Sequence, residues 1–136
     1  MKNRKLIVLT LISFVLALAA AAREDKLTNT GAAPAAEGKV TTSNDRNGNT
    51  SVEIQVKHMA APQSLTPPRS TYLVWVQPRG QAAELLGALR VNSDLEGSLK
   101  ASTTYKDFDV LITAEDQTHA DQPSSTVILK GTIERK

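Results

Sequence analysis

From Val40 to Lys136 the chain runs in short stretches of alternating polar and apolar residues, broken at close intervals by Gly, Pro, Asn, Asp and Ser. A period of two puts successive side chains on opposite faces of an extended strand, whereas a surface helix needs a period near 3.6. Thr50 to Lys57 (TSVEIQVK) shows the pattern most cleanly. Val52, Ile54 and Val56 fall on one face, and Glu53, Gln55 and Lys57 on the other, so one face is buried and the other wet. Lys39 to Ser43 (KVTTS) is β-rich and joins it through Asn44-Asp45-Arg46-Asn47-Gly48-Asn49. Asn47-Gly48 is a strong hairpin signal because both residue types tolerate positive φ.

Ala61-Pro62 through Pro67-Pro68 is a crossing loop that cannot be a strand interior. Thr71 to Val76 (TYLVWV) is apolar on both faces, Tyr72, Val74 and Val76 against Leu73 and Trp75, which predicts a central strand buried on both sides. Further strands are predicted at Leu85–Val91, Gly97–Ser102, Asp107–Ala114 and Thr126–Glu134. The longest helical stretch, Gln81–Leu86, is bounded by Gly80 and Gly87 and is too short for a crossover between parallel strands. About seven strands over 97 residues predict an all-β, immunoglobulin-like antiparallel sandwich spanning residues 39–136, without the cysteine pair of antibody domains.

The N-terminus follows different rules. Lys2, Arg4 and Lys5 precede an apolar run, Leu6 to Ala22, broken only by Thr10 and Ser13 and ending in Ala20-Ala21-Ala22. A basic head, an apolar centre and a small-residue site predict a secretory signal peptide cut after Ala22. At 17 residues the run is at the short edge of what spans a bilayer. Only if it is left uncut does a membrane anchor at residues 6–22 enter the reading. Arg23 follows, and the chain has no cysteine, so a lipoprotein anchor is excluded. Residues 23–38, centred on Gly31-Ala32-Ala33-Pro34-Ala35-Ala36, carry no apolar period and read as a flexible linker. The expected location is periplasmic or extracellular.

Removing the leader reverses the charge. The whole chain carries 16 Lys and Arg against 14 Asp and Glu, but without Lys2, Arg4 and Lys5 the balance is 13 against 14. A near-neutral domain offers nucleic acid no basic footprint. Without cysteine the fold rests on burial and hydrogen bonding, and thiolate metal sites, cysteine nucleophiles and disulfide chemistry are excluded.

Few residues suggest a site. Tyr72, Trp75, Asp107 and Asp109 could meet a ligand or partner, although a Trp on a central strand of a small sandwich is usually core. Asp107 and Asp109 share one strand face, with Glu115, Asp116 and Asp121 beyond them, but no DxDxDG-type calcium loop is present. His58 and His119 are the only imidazoles, neither with a second ligand at metal spacing, and there is no Gly-x-Ser-x-Gly elbow. Asn49-Thr50-Ser51 matches a glycosylation sequon, which matters only in a eukaryotic secretory pathway. No catalytic residue, metal site or cofactor is predicted.

Residues 72–131 resemble the extracytoplasmic C-terminal domain of the anti-sigma-K factor family. The resemblance rests on Tyr72-Leu73-Val74-Trp75-Val76 with Gly80, on Gly87-Ala88-Leu89, on Phe108-Asp109-Val110-Leu111-Ile112-Thr113-Ala114-Glu115, and on Pro123-Ser124-Ser125 with Val127-Ile128-Leu129-Lys130-Gly131. It implies an outer β-sandwich of bacterial type. That family also carries a cytosolic sigma-binding part, for which the five residues Met1–Lys5 leave no room. The expected function is therefore a stand-alone, exported, non-enzymatic module acting by contact with another envelope protein. The alternative is a carbohydrate- or small-ligand-binding module using Trp75 or Tyr72.

Overall fold

A computed structural model describes residues 22–135. The apolar run of residues 6–21, and with it most of the leader, lies outside them. Among the described residues there are nine strands: β1 (Arg23–Lys26), β2 (Thr28–Asn29), β3 (Glu37–Asn44), β4 (Thr50–Lys57), β5 (Thr71–Pro78), β6 (Glu84–Leu89), β7 (Gly97–Thr103), β8 (Asp107–Glu115) and β9 (Val127–Glu134). One 3-10 turn, Pro62–Ser64, interrupts the crossing loop, and no described helix is long and apolar enough to cross a membrane.

The strands form two antiparallel sheets, one ordered β1-β3-β4-β7 and the other β2-β9-β8-β5-β6. With β1 and β2 set aside, β3-β4-β7 against β9-β8-β5-β6 matches immunoglobulin-type strands A, B, E against G, F, C, C′. The alternation in β4 is realised, with Val52, Ile54 and Val56 buried between the sheets. Its hairpin with β3 closes as the Asn-Gly signal predicts, although only Gly48 takes positive φ (81°). Asp45 pins the loop, its carboxylate accepting from the Asn47 and Asn49 amides (both 2.8 Å). β5 is interior to its sheet, between β8 and β6. Tyr72, Val74 and Val76 enter the core between the sheets, while Leu73 and Trp75 point from the opposite face and are equally inaccessible.

Residues 23–38 correct the flexible-linker expectation. β1 pairs with β3 at one sheet edge and β2 with β9 at the edge of the other, so the sandwich starts at Arg23 rather than Lys39. Between them Leu27 plugs the gap, its amide donating to Gly38 O (2.8 Å). The slot exists because two facing positions lack side chains. A Cβ on Gly38 would lie 3.0 Å from Leu27 Cδ1, and one on Gly131 only 2.8 Å from Leu27 Cδ2. Downstream, the Asn29 amide donates to Ala33 O (2.8 Å) and Ala36 O (2.9 Å), tying the turn down while Ala33 and Ala36 are buried. Periodicity missed this segment because β1 is a polar edge strand and its buried residues fall at irregular spacing.

Leu27→Ala is therefore expected to cost about 2–4 kcal/mol of stability, the range for deleting a buried leucine. Urea unfolding checks this; a change below about 0.5 kcal/mol, the size of an ordinary surface substitution, would show that the plug does not hold the sheets.

Candidate functional site

The aromatic pair suggested by the sequence does not form a binding surface. Tyr72 and Trp75 are both 0 % exposed and, as neighbours of opposite parity on β5, they leave opposite faces of the sheet. This corrects the expectation that either ring meets a ligand: each is packed as core. The Tyr72 hydroxyl donates to Ala60 O (2.6 Å), tying β5 to the crossing loop. Burial of the phenol pushes its pKa up to about 12.

Trp75 starts a buried polar chain. Its Nε1–H donates to Thr113 Oγ1 (2.9 Å), and that hydroxyl donates to Glu115 Oε2 (2.6 Å). The same carboxylate oxygen accepts from the Ser124 amide (2.9 Å), and Ser124 Oγ donates to Ala114 O (3.2 Å). Trp75 and Thr113 meet because Trp75 pairs with Leu111 and Leu73 with Thr113 in the β5–β8 ladder, which makes them diagonal neighbours on one face. Arg69 joins the same loop from the other side, reaching Asp116 (3.2 Å) and Thr126 Oγ1 (3.4 Å). The arrangement fixes the loop between β8 and β9. It brings no nucleophile to a base.

The acidic candidates are drawn apart. Asp107 and Asp109 both turn to the C-terminal end of the chain, Asp107 accepting from the Arg135 amide (3.1 Å) and Asp109 from Thr132 Oγ1 (2.8 Å). Glu115 is buried, while Asp116 and Asp121 are exposed. Among the described residues no group of three His, Asp or Glu is placed to hold a metal. His58 is exposed, takes φ 53° and bonds Glu37 Oε2 through Nδ1 (2.8 Å). Elsewhere, the Tyr105 hydroxyl donates to Glu84, and that hydrogen bond raises its pKa.

A concavity lies where no motif pointed, over the four-stranded sheet and the loop between β6 and β7. Its volume is about 770 Å³, and it is lined by Lys26, Lys39, Gln55, Lys57, Arg90 and Glu96 among others, with Leu27, Ala36 and Val56 at its apolar part. A second, smaller cleft of about 220 Å³ separates the free edges of β6 and β7. Beside the larger groove the loop turns on Asn92, whose Oδ1 accepts from the Asp94 (2.9 Å) and Glu96 (3.0 Å) amides. At its tip Leu95 takes φ 61° and is 40 % exposed, a costly conformation for a branched side chain. The sequence signal for the groove was the outward run Lys39, Gln55 and Lys57, which on its own reads as an ordinary wet face. No protein-family model, curated protein or solved structure matches the chain.

Two outcomes follow from these contacts. Thr113→Val keeps the shape but strands the Trp75 N–H and removes a donor from Glu115, so unfolding should become easier by about 1–3 kcal/mol, the cost of unpaired buried polar groups. Chemical denaturation measures it, and an unchanged midpoint would mean that the chain of bonds contributes nothing. The second concerns pH. A phenol held at about 12 when folded, against 10.0 for the ordinary group, contributes stability that is fully present below pH 10 and is lost as pH rises through 12. Absorbance at alkaline pH should show Tyr72 ionising late or only with unfolding, and Tyr72→Phe should remove that part of the alkaline stability loss.

Proposed function

We propose that the chain is an exported, non-enzymatic β-sandwich module of bacterial type that works by protein contact in the periplasm or cell envelope, like the outer domain of an anti-sigma factor. The observation that carries this reading is the junction at Ala22. A leader pattern of basic head, apolar run and Ala20-Ala21-Ala22 ends at the residue before β1 begins. Cleavage there leaves the folded domain whole, with every strand of the described residues on the mature side of the bond. The resemblance of residues 72–131 to the anti-sigma outer domain supports a contact role, and a two-sheet sandwich is the fold it implies. The carbohydrate or small-ligand alternative loses its basis, because both rings that would have stacked on a ligand are enclosed.

Expression with a C-terminal tag in a bacterial host tests the export step. The protein is expected in the envelope or periplasmic fraction, with Arg23 as its first residue by N-terminal sequencing. Retention in the cytosol with an intact leader would overturn it. The contact role is tested by photo-reactive side chains placed on the exposed faces of the exported protein, which should trap a discrete protein adduct. Substrate turnover abolished by a single substitution would instead make the protein an enzyme.

A further inference from the structure

A long, straight, unpaired sheet edge is a template for another strand, and folded proteins shorten, bulge, charge or cover such edges. Three of the four edges here are blunted in this way. β1 has four residues and β2 two, while the β5–β6 ladder shifts register between Val74 and Trp75, leaving Leu86 as an extra residue that bends β6. β7 is the exception. It runs seven residues, Gly97–Thr103, without a proline, and its register with β4 is unbroken from Thr103 to Gly97. Among the described residues no strand lies on its other side.

The ladder decides which backbone groups face that open side, because alternate residues of an antiparallel strand turn N–H and C=O to opposite neighbours. The Leu27 amide donates to Gly38 O (2.8 Å), so Gly38 faces β1, and its partner Val56 faces β7, where it meets Gly97. The next row, Lys26 directly opposite Lys39 and then Gln55 and Ser98, has the reverse phase, and Ser98 faces outward. Lys100 and Ser102 follow by the same alternation. All three residues are exposed, and among the described residues no backbone hydrogen bond reaches them from beyond the sheet. Three donors and three acceptors therefore stand at strand spacing in water.

Groups so arranged recognise an extended backbone, which leaves a second copy of β7 or a different chain. A second copy in full register sets Lys100 of one copy against Lys100 of the other, and like charges directly opposed destabilise a pair. A shifted register pairs at least one of the three residues with one outside the strand: Glu96, whose carbonyl and amide are already bonded to Asn92, or Thr104 in the turn before β8. A copy also has no inward side chain to spare, since Leu99 packs against its own core. Beside the open edge lies the cleft of about 220 Å³, where Leu85 and Leu86 are half-buried next to Glu84, Ser102 and Thr103. A separate strand brings its own inward side chains to that cleft, and threonine and valine, both at home in strands, suit its mixed lining. Lys100 already has Glu53 opposite it on β4, so an acidic residue is not required of the segment.

We propose that the free edge of β7 binds an extended segment of a partner protein, which adds to the four-stranded sheet as a fifth strand. The inference rests on the protein-contact reading and names the surface and the form of the partner. Backbone hydrogen bonds to Ser98, Lys100 and Ser102 supply the affinity, and the side chains entering the cleft supply the preference.

The test uses the purified exported protein and a fluorescein-labelled nonapeptide of alternating threonine and valine with a glutamate at each end, followed by fluorescence polarisation. Saturable binding is expected. The same peptide N-methylated at every residue keeps its side chains but offers no N–H, and should bind about tenfold more weakly or worse, the loss expected of several hydrogen bonds. Lys100→Pro removes the central outward N–H and spares the β4 ladder; it should weaken binding about fivefold or more, the size of one hydrogen bond. Lys100→Ala keeps that N–H and should stay within about twofold, as expected of one exposed charge. Circular dichroism shows whether Lys100→Pro disturbs the fold, in which case Ser102→Pro takes its place. No saturation up to about 1 mM peptide, the weakest affinity worth calling specific, overturns the proposal, as does equal binding by the proline and alanine variants. A dimer in sedimentation that the proline variant dissociates makes the occupant a second copy and overturns it too. A protein adduct trapped from another face, with no peptide binding, overturns the edge alone. No adduct from any face and no peptide binding overturns the protein-contact reading with it.

Discussion

The sandwich depends on one short crossing. Two sheets packed face to face leave open flanks, and one flank is closed by a seven-residue strap, β1 to β2, that pairs with an edge of each sheet. What holds the strap is Leu27, seated where Gly38 and Gly131 leave room for it. β1 alone is weak: it has four residues, all at least partly exposed, and its ion pairs are exposed ones such as Lys39–Glu24 (3.4 Å), which are worth little in water. Burial of one leucine, about 1.5–3 kcal/mol, outweighs the opposition of Lys26 and Lys39, about 0.2–1 kcal/mol by the usual size of cross-strand terms. Among the described residues the opposite flank has no such strap, and a cleft remains between β6 and β7.

Inside the five-stranded sheet the organising element is β5, apolar on both faces. Its inward residues join the core, and its outward tryptophan is satisfied through Thr113 and Glu115. A buried indole needs a partner for its N–H, and a buried carboxylate needs donors. Here one threonine hydroxyl serves both, accepting from one and donating to the other. The consequence reaches the surface, because Glu115 also takes the Ser124 amide and so fixes the loop between β8 and β9.

The fold was legible wherever period two was strong. β3 to β9 each fall on a stretch that the alternation predicts, because strands half-buried in a sandwich must alternate, and the double-faced run Thr71–Val76 marked a central strand for the same reason. Residues 23–38 were not legible. A polar edge strand leaves no alternation, and a plug residue such as Leu27 is a single apolar side chain whose slot is made by glycines 11 and 104 positions later. The candidate site divides in the same way. That Trp75 belongs to the interior follows from its apolar neighbours, but its meeting with Thr113 is a matter of β5–β8 register. The groove is harder still, since its row takes one residue from each of four strands.

That dependence on register ties the groove to the strap. Lys26 precedes the plug Leu27 by one residue, so it reaches the sheet only when Leu27 is seated and β1 is paired. If β1 were undocked, Lys39 would lose both the charge opposing it and its partner Glu24, and the row would begin at an edge of β3. The row of side chains across the sheet is thus maintained by apolar burial of the residue that follows β1. Edge pairing of β1 therefore sets a lysine opposite a lysine while bringing Glu24 to Lys39.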